Sequence, residues 1–459
     1  MDRANKFLTP LVIGLLIATL YSCGGGGGGT QVADGGIGGT GVSQGRVTGF
    51  GSIFVNGIEY ETDNASFTVN NAEGSQDDLA IGMVVRISGS SDQAAGTGEA
   101  ESVEYDSLIE GVIGSNDIAS NNTLTIMDQV ISVDRDTVYE NPIDATLLAD
   151  LPLNSVLEIS GFTDGNGIIL ATRIEVESLG WAGDELEVSG LVSNISGTRF
   201  MIGSLLIEAG ALTIPAEGTF VEVEGNSFAG AVFEADSIEI EGDGTTLVAE
   251  DGEEVEIEGR ITTALDSNDQ FALNGQLVDV SATVFSGETG LLTLGRIVEV
   301  EGVMNGTILL AEEIELKAEE SEKGELAGIL GPGGVDVAAG TITLLGQTIQ
   351  VNNSTIMESD LEGESTFTLA QLNASDYLEA KIFSENGALV ASKLEREQTP
   401  ENHTAEAKGI PEFVDNDTIR IFGVLIDTSG VDYTFSSREV EVKGDYIDGI
   451  LVASDIEND

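Results

Sequence analysis

The residues of this chain that could do chemistry are carboxylates and little else. Asp and Glu number 80 against 18 Lys and Arg, beside one His (His403), one Cys (Cys23) and one Trp (Trp181). Nucleophilic or transition-metal chemistry built on imidazole and thiolate needs at least a pair of such groups, so those reaction classes drop out, and a lone Cys makes no disulfide within the chain. Carboxylates can hold a hard cation such as calcium, flank a glycosidic bond as a matched pair, or simply coat a surface. The calcium candidates are Asp164 and Asn166 in the run Asp164-Gly165-Asn166-Gly167, Asp243 before Gly244, and Asp415 and Asp417 on either side of Asn416. No twelve-residue EF-hand loop is present, and nothing marks two of the 80 acids as a glycosidase pair. The sequence therefore predicts no catalytic residue and no cofactor, with calcium the one ion its composition would suit.

A formal charge of −62 repels a phosphate backbone, which sets nucleic acid aside. Neutral glycans, cationic peptides, divalent ions and other envelope proteins remain as partners. With 41% apolar residues, 59 Gly and only 7 Pro, the chain has enough Val, Ile and Leu to build cores and is no disordered acidic tail. The acids alternate with apolar residues at period two, as in Glu222/Glu224, Glu239/Glu241, Glu256/Glu258 and Glu299/Glu301. Each pair should therefore leave one face of a strand while Val and Ile point to the core, and the plain expectation is a solvated acidic ridge.

The elements that position these residues repeat. Six short strands open on a glycine, at Gly45, Gly111, Gly190, Gly259, Gly328 and Gly409, spaced 66, 79, 69, 69 and 81 residues apart. A second mark is an alternating strand that ends in Gly89, Gly161, Gly225, Gly302 or Gly444, with Ile382 in its place in the fifth copy. A third, Ala-x-x-(Val/Ile/Leu)-Glu, closes every copy, from Ala100–Glu104 to Ala453–Glu457. Between the first two marks lies a hairpin, with Asn56-Gly57 and Asn274-Gly275 as tight turns and Gly203, Gly346 or Gly423 at the turn elsewhere. A Leu-rich stretch such as Ala145–Leu151 then reads as a short helix or turn.

Five strands with a helical connection between the third and fourth is the order of the OB-fold, a small Greek-key barrel. A two-sheet sandwich is the alternative. The expected architecture is all-β: six tandem five-stranded barrels at 42–107, 108–179, 186–241, 255–318, 325–397 and 405–459, behind a signal (1–22) and a Gly-rich tether (23–41). The distance from first to second mark runs medium, long, short, and then medium, long, short again, which predicts a duplicated three-unit block. Units this small hold marginal cores and should lean on neighbours. Short acidic linkers predict an extended rod, with Trp181, in the linker after the second unit, as a packing plug. Two motif matches, Gly36-x-Gly38-x-x-Gly41 and Gly41-x-Ser43-x-Gly45, lack the strand before and helix after that a phosphate loop or hydrolase elbow requires.

Two resemblances follow. Arg3 and Lys6, the apolar run Phe7 to Leu20, and Leu20-Tyr21-Ser22-Cys23 resemble a bacterial lipoprotein signal, which implies acylation of Cys23, attachment to a membrane and, with Gly24 rather than Asp next, the outer membrane. The opening Gly45-Arg46-Val47-Thr48-Gly49-Phe50-Gly51-Ser52-Ile53-Phe54-Val55-Asn56-Gly57, with Leu79-x-x-Gly82-Met83-x-Val85-x-Ile87-x-Gly89 and the closing Ala-x-x-Ile-Glu, resembles the DUF5666 family of bacterial domains. That resemblance implies tandem copies on a lipoprotein and supplies no chemistry. The function expected is a non-enzymatic, lipid-anchored envelope protein, an extended scaffold or binding module; the alternative is a calcium-dependent adhesion or glycan-binding module.

Overall fold

The computed structural model describes residues 38–458 except 94, 141–144, 164–167, 241–248, 250, 284–291, 318–322, 362–365, 386, 401, 436 and 437. The signal, Cys23 and most of the tether lie outside the described residues, as do Asp164, Asn166 and Asp243. No described helix is long and apolar enough to cross a membrane.

Apolar alternation and tight turns give a chain that is nearly all strand. In stretch 1 the ring strands are Gly38–Phe50, Ile53–Val55, Ile58–Glu61, Val84–Asp92 and Thr97–Tyr105, with the short strand Ser66–Val69 beside the last and Ala72–Glu73 beside that. The first pairs antiparallel with the second and the fourth, the fourth with the fifth, and the third runs parallel to the fifth. This closes a five-stranded ring in the OB order. Stretch 2 repeats it with Ile109–Asp117, Thr123–Ile126, Gln129–Ser132, Val156–Thr163 and Ile168–Ser178. Its helix, Ala145–Asp150, falls between the third and fourth strands. Stretches 186–240, 254–316, 323–397 and 405–458 keep the antiparallel hairpin and the parallel pairing of its second strand with the closing strand.

The recurring glycines have a steric cause. A Cβ on the first-mark glycine would meet the hairpin turn that folds over it: Asn56 over Gly45, Asn274 over Gly259 and Phe422 over Gly409. The second and third marks are one feature, a bulge where Gly89 faces Ala100, Gly161 faces Ala171, Gly302 faces Ala311 and Gly444 faces Ala453. There the carbonyl of the residue before the alanine, such as Leu310 opposite Gly302, occupies the space of a side chain. Stretch 5 keeps the bulge with Ile382, which is buried in the core of stretches 5 and 6. Positive φ at both Asn56 and Gly57, and at Asn274 and Gly275, confirms the predicted tight turns, and Met127-Asp128 serves the second hairpin without any glycine.

Three expectations are corrected. The strand of stretch 1 starts at Gly38, so Gly38–Gly41 pairs with Gly89–Asp92 instead of belonging to the tether. Gly38, Gly41, Ser43 and Gly45 of the two glycine motifs lie along this strand, with Gly36 outside the described residues, and Ser43 is buried and donates to Glu256. The described stretches are also not strung out as a rod. Gly41–Gln44 runs parallel beside Glu254–Ile257, joining stretches 1 and 4. Stretches 2 and 3 join through Ile109 opposite Val188, and stretches 5 and 6 through Leu326 opposite Ala407. Each of those four residues stands two positions before a first-mark glycine, so the 2–3 and 5–6 seams share one register, which agrees with a duplicated block. One apolar cluster runs through stretches 2 and 3, with Trp181 packed against it as a plug, and another through 5 and 6.

Candidate functional site: the seams between units

The third correction concerns the carboxylates. Period two places them on the outside of each ring, as predicted, but that outside is covered by neighbouring stretches. Glu222 and Glu256 are 1% exposed and Glu258 4%, with Glu299, Glu301, Glu158 and Glu325 also buried. These seven form no solvated coat, whereas of the other acids named for the ridge Glu239 is exposed as expected, Glu224 is half-buried and Glu241 lies outside the described residues.

Glu301 aside, each of the seven finds a partner across a seam or on its own sheet. Glu258 of stretch 4 takes the Arg46 guanidinium of stretch 1 at 2.7 Å. Glu256 accepts from Ser43 Oγ and Gln93 Nε2, both 3.2 Å away in stretch 1. Glu158 of stretch 2 accepts from Tyr105 Oη at 2.7 Å and Asn70 Nδ2 at 3.3 Å, and Glu222 of stretch 3 accepts from Asn71 Nδ2 at 2.9 Å. Stretch 5 meets stretch 2 through Lys323 on Asp136 and Ser392 Oγ on Asp136 at 2.8 Å. Arg135 reaches on to Glu439 of stretch 6 at 2.6 Å.

A motif follows from the register. The closing Glu of the third mark stands directly opposite a residue of the fourth strand: Glu104 faces Arg86, but Glu175 faces Glu158, Glu239 faces Glu222, Glu315 faces Glu299, Glu395 faces Glu379 and Glu457 faces Glu441. Like charges opposite one another repel, and the chain relieves several of these pairs with an internal cation. Lys317 lies 3.0 Å from both Glu299 and Glu315. Lys381 contacts Glu379 and, at 2.8 Å, Glu325, and Lys393 lies 3.0 Å from Glu395 and 2.9 Å from Glu358. Arg173 serves Glu175 and Lys443 serves Glu441.

The remaining strain appears in the ionisation. Burial, reinforced by Glu222 and Glu158, pushes Glu187 up to about 9, and burial with Glu325 pushes Glu406 up to about 9. Burial raises Glu256 and Glu397 to about 8, and Glu110, Glu299, Glu301 and Glu379 to about 7. Against the cost of burial, Lys323 and then Arg46 hold Asp136 down at about 2, and Arg46 lowers Glu258.

Two polar cavities open where stretches converge. One, of about 270 Å³, is lined by Arg46, Asp136, Glu258, Lys317, Lys323 and Ser354, from stretches 1, 2, 4 and 5. The other, of about 370 Å³, lies between stretches 1, 2 and 5 and is lined in part by Phe50, Ile81, Tyr139, Arg173 and Lys393. Spaces of this kind suit ordered water or a small polar ligand.

Of the calcium candidates within the described residues, Asp415 and Asp417 are exposed in a hairpin turn, where Asp415 Oδ1 accepts the Asp417 N–H at 3.0 Å. Two other carboxylate groups come within 4.8 Å of one another: Glu158 with Glu175 and Glu177, and the matching Glu379, Glu395 and Glu397. Sequence reasoning missed these triads. The signal was the third mark itself, whose Glu recurs opposite the fourth strand. His403, in a loop, lies 3.4 Å from Glu406, and burial lowers its pKa.

A search of curated proteins returns no match. The family model described as a domain of unknown function, DUF5666, matches residues 42–104, 110–175, 258–315 and 335–395, together more than half of the chain. These four matches fall on stretches 1, 2, 4 and 5, which share the hairpin, the parallel closing pair and the bulge just described, so the chain is a tandem array that belongs to the DUF5666 family.

Proposed function

We propose that the chain is a non-enzymatic protein of the bacterial cell envelope, anchored to the outer membrane by an acylated Cys23, whose joined units form a scaffold or binding module. We also propose that 186–240 and 405–458 are further copies of the unit, making six, because they keep its hairpin and parallel closing pair. The observation that carries the non-enzymatic reading is where the perturbed carboxylates lie. Glu187, Glu256, Glu299 and Glu406 sit in seams between stretches or against an internal lysine, with their hydrogen-bonding capacity directed to the fold. The anchoring reading rests on Leu20-Tyr21-Ser22-Cys23 and the glycine run after it. Metabolic labelling with an alkyne-bearing palmitate should tag the wild-type chain in the outer-membrane fraction and leave the Cys23→Ser variant untagged. An untagged wild type, or a tagged variant, would overturn the anchor.

A calcium-dependent adhesion or glycan-binding module is the second reading, favoured by the triad Glu158, Glu175 and Glu177. Thermal unfolding in EDTA, in calcium, and in sodium chloride of matched ionic strength separates the two. A calcium shift several degrees beyond the matched salt supports specific sites, while equal shifts reduce the ion to screening.

A further inference from the structure

The seams hold the buried carboxylates, but one surface stands apart from them. In stretch 6 the first strand breaks at Ile410-Pro411 and resumes as Glu412–Asp415, which ends the strand order of its sheet and has all four residues exposed. Phe413 and Ile410 are each 58% exposed, and Phe435 packs edge-on against Phe413 with ring centroids 5.3 Å apart. Val414 is exposed beside them. An aromatic pair in the open, within a chain otherwise sparing of aromatics, is the kind of anchor that interfaces use. The feature is also partly duplicated. Leu191 and Ile195 of stretch 3, one and five positions after its first-mark glycine as Ile410 and Val414 are in stretch 6, are exposed too.

We propose that the patch formed by Ile410, Phe413, Val414 and Phe435 is a docking surface for a cationic polypeptide segment carrying apolar side chains. Charge selects this occupant. Asp415 and Asp417 flank the aromatic pair beside Glu412, whose carboxylate lies 3.7 Å from Arg420, and the whole chain bears −62, so its field draws in Lys- and Arg-bearing segments and opposes a second copy or an anionic lipid surface. Apolar side chains of the segment pack on the two rings while its cations meet the acidic flank. This deepens the binding-module reading and is independent of whether Cys23 is acylated.

The test uses the purified full-length chain in detergent micelles and a fluorescein-labelled short peptide of alternating Lys and Phe or Val, followed by anisotropy. Two control peptides carry Ser in place of the apolar residues or Glu in place of Lys. The wild type should bind the first peptide at least about tenfold more tightly than either control, a difference of about 1.4 kcal/mol. The double variant Phe413→Ser, Phe435→Ser, whose targets are exposed and whose melting temperature should be unchanged, should lose that margin, and Val414→Ser should lose part of it. Equal binding of the Ser peptide, or undiminished binding by the double variant, would reduce the effect to a general acidic coat and overturn the proposal. A concentration-dependent dimer in sedimentation velocity that the double variant abolishes, with no peptide binding, would assign the patch to a second copy and overturn it as well. Neither result bears on anchoring, which the palmitate label reads separately.

Discussion

Lys317 shows at residue scale what the recurring glutamates demand. Its ammonium stands 3.0 Å from both Glu299 and Glu315, two carboxylates that face each other across adjacent strands. Lys317→Met keeps the length of the side chain and removes the charge, leaving two facing acids to repel one another. The Lys317–Glu299 contact is largely buried while Glu315 is half exposed, so removing the cation should cost about 1–3 kcal/mol while the acids stay ionised. Glu299, already raised to about 7 with the lysine present, escapes by taking a proton. The loss in denaturant unfolding should therefore be large at about pH 8 and shrink at about pH 5; a loss of equal size at both would show that Lys317 acts by packing alone. Gly302 makes a second residue-scale case. The Leu310 carbonyl fills the space its side chain would need, so Gly302→Ala should destabilise by about 1–3 kcal/mol through overpacking, read as a lower denaturant midpoint with the slope unchanged.

Strands, taken as elements, carry these acids in ladders, and the ladder fixes how stability follows pH. Glu187 opposite Glu110 in the 2–3 seam, with Glu256, Glu397 and Glu406 elsewhere, all have folded-state pKa values above the ordinary carboxylate value of about 4.5. The folded chain therefore binds more protons than the unfolded chain between about pH 4.5 and 9, and stability falls with rising pH over that window. The contribution of the neutral forms is complete below the unfolded value and is lost as pH rises through about 7 to 9. Asp136 and Glu258 work in the opposite sense, holding their contribution above the unfolded value and losing it as pH falls below that value, for Asp136 through about 2. The melting temperature should be several degrees higher at about pH 5 than at about pH 8.5, and added salt should recover only part of the difference because the groups are buried. A flat profile would mean that water reaches these glutamates. Period two in the sequence told which face of the strand Glu222 and Glu258 leave, and that was correct. It could not tell that Asn71 and Arg46, 151 and 212 residues away in sequence, cover that face. The ring order was legible because it is written in local signals: turns with positive φ, alternating apolar residues and glycines forced by close approach. The seams depend on partners in other copies, and no local pattern encodes those.

At the scale of the whole molecule, the shared register of the 2–3 and 5–6 seams makes the pair, rather than the single unit, the cooperative element. Stretches 2 and 3 bury one continuous cluster in which Ile109, Val188, Leu186 and Phe200 are almost fully inaccessible. Neither stretch could leave without opening the other's core to water, whereas a rod of separately folded units would let each open alone. Ile109→Ala, at the centre of the seam opposite Val188, should cost about 2–5 kcal/mol. The decisive reading is where that cost appears. Hydrogen exchange followed by mass spectrometry should show amides of 109–178 and of 186–240 losing protection together, with those of 405–458 unchanged because stretch 6 shares its core with stretch 5. Loss confined to 109–178 would mean that the seam is adhesive but not cooperative. The duplicated register would then record ancestry without shared stability. Joint loss in 2 and 3, mirrored by joint loss in 5 and 6 on Leu326→Ala at the matching position, would establish the pair as the way this chain makes marginal barrels stable while carrying so much negative charge.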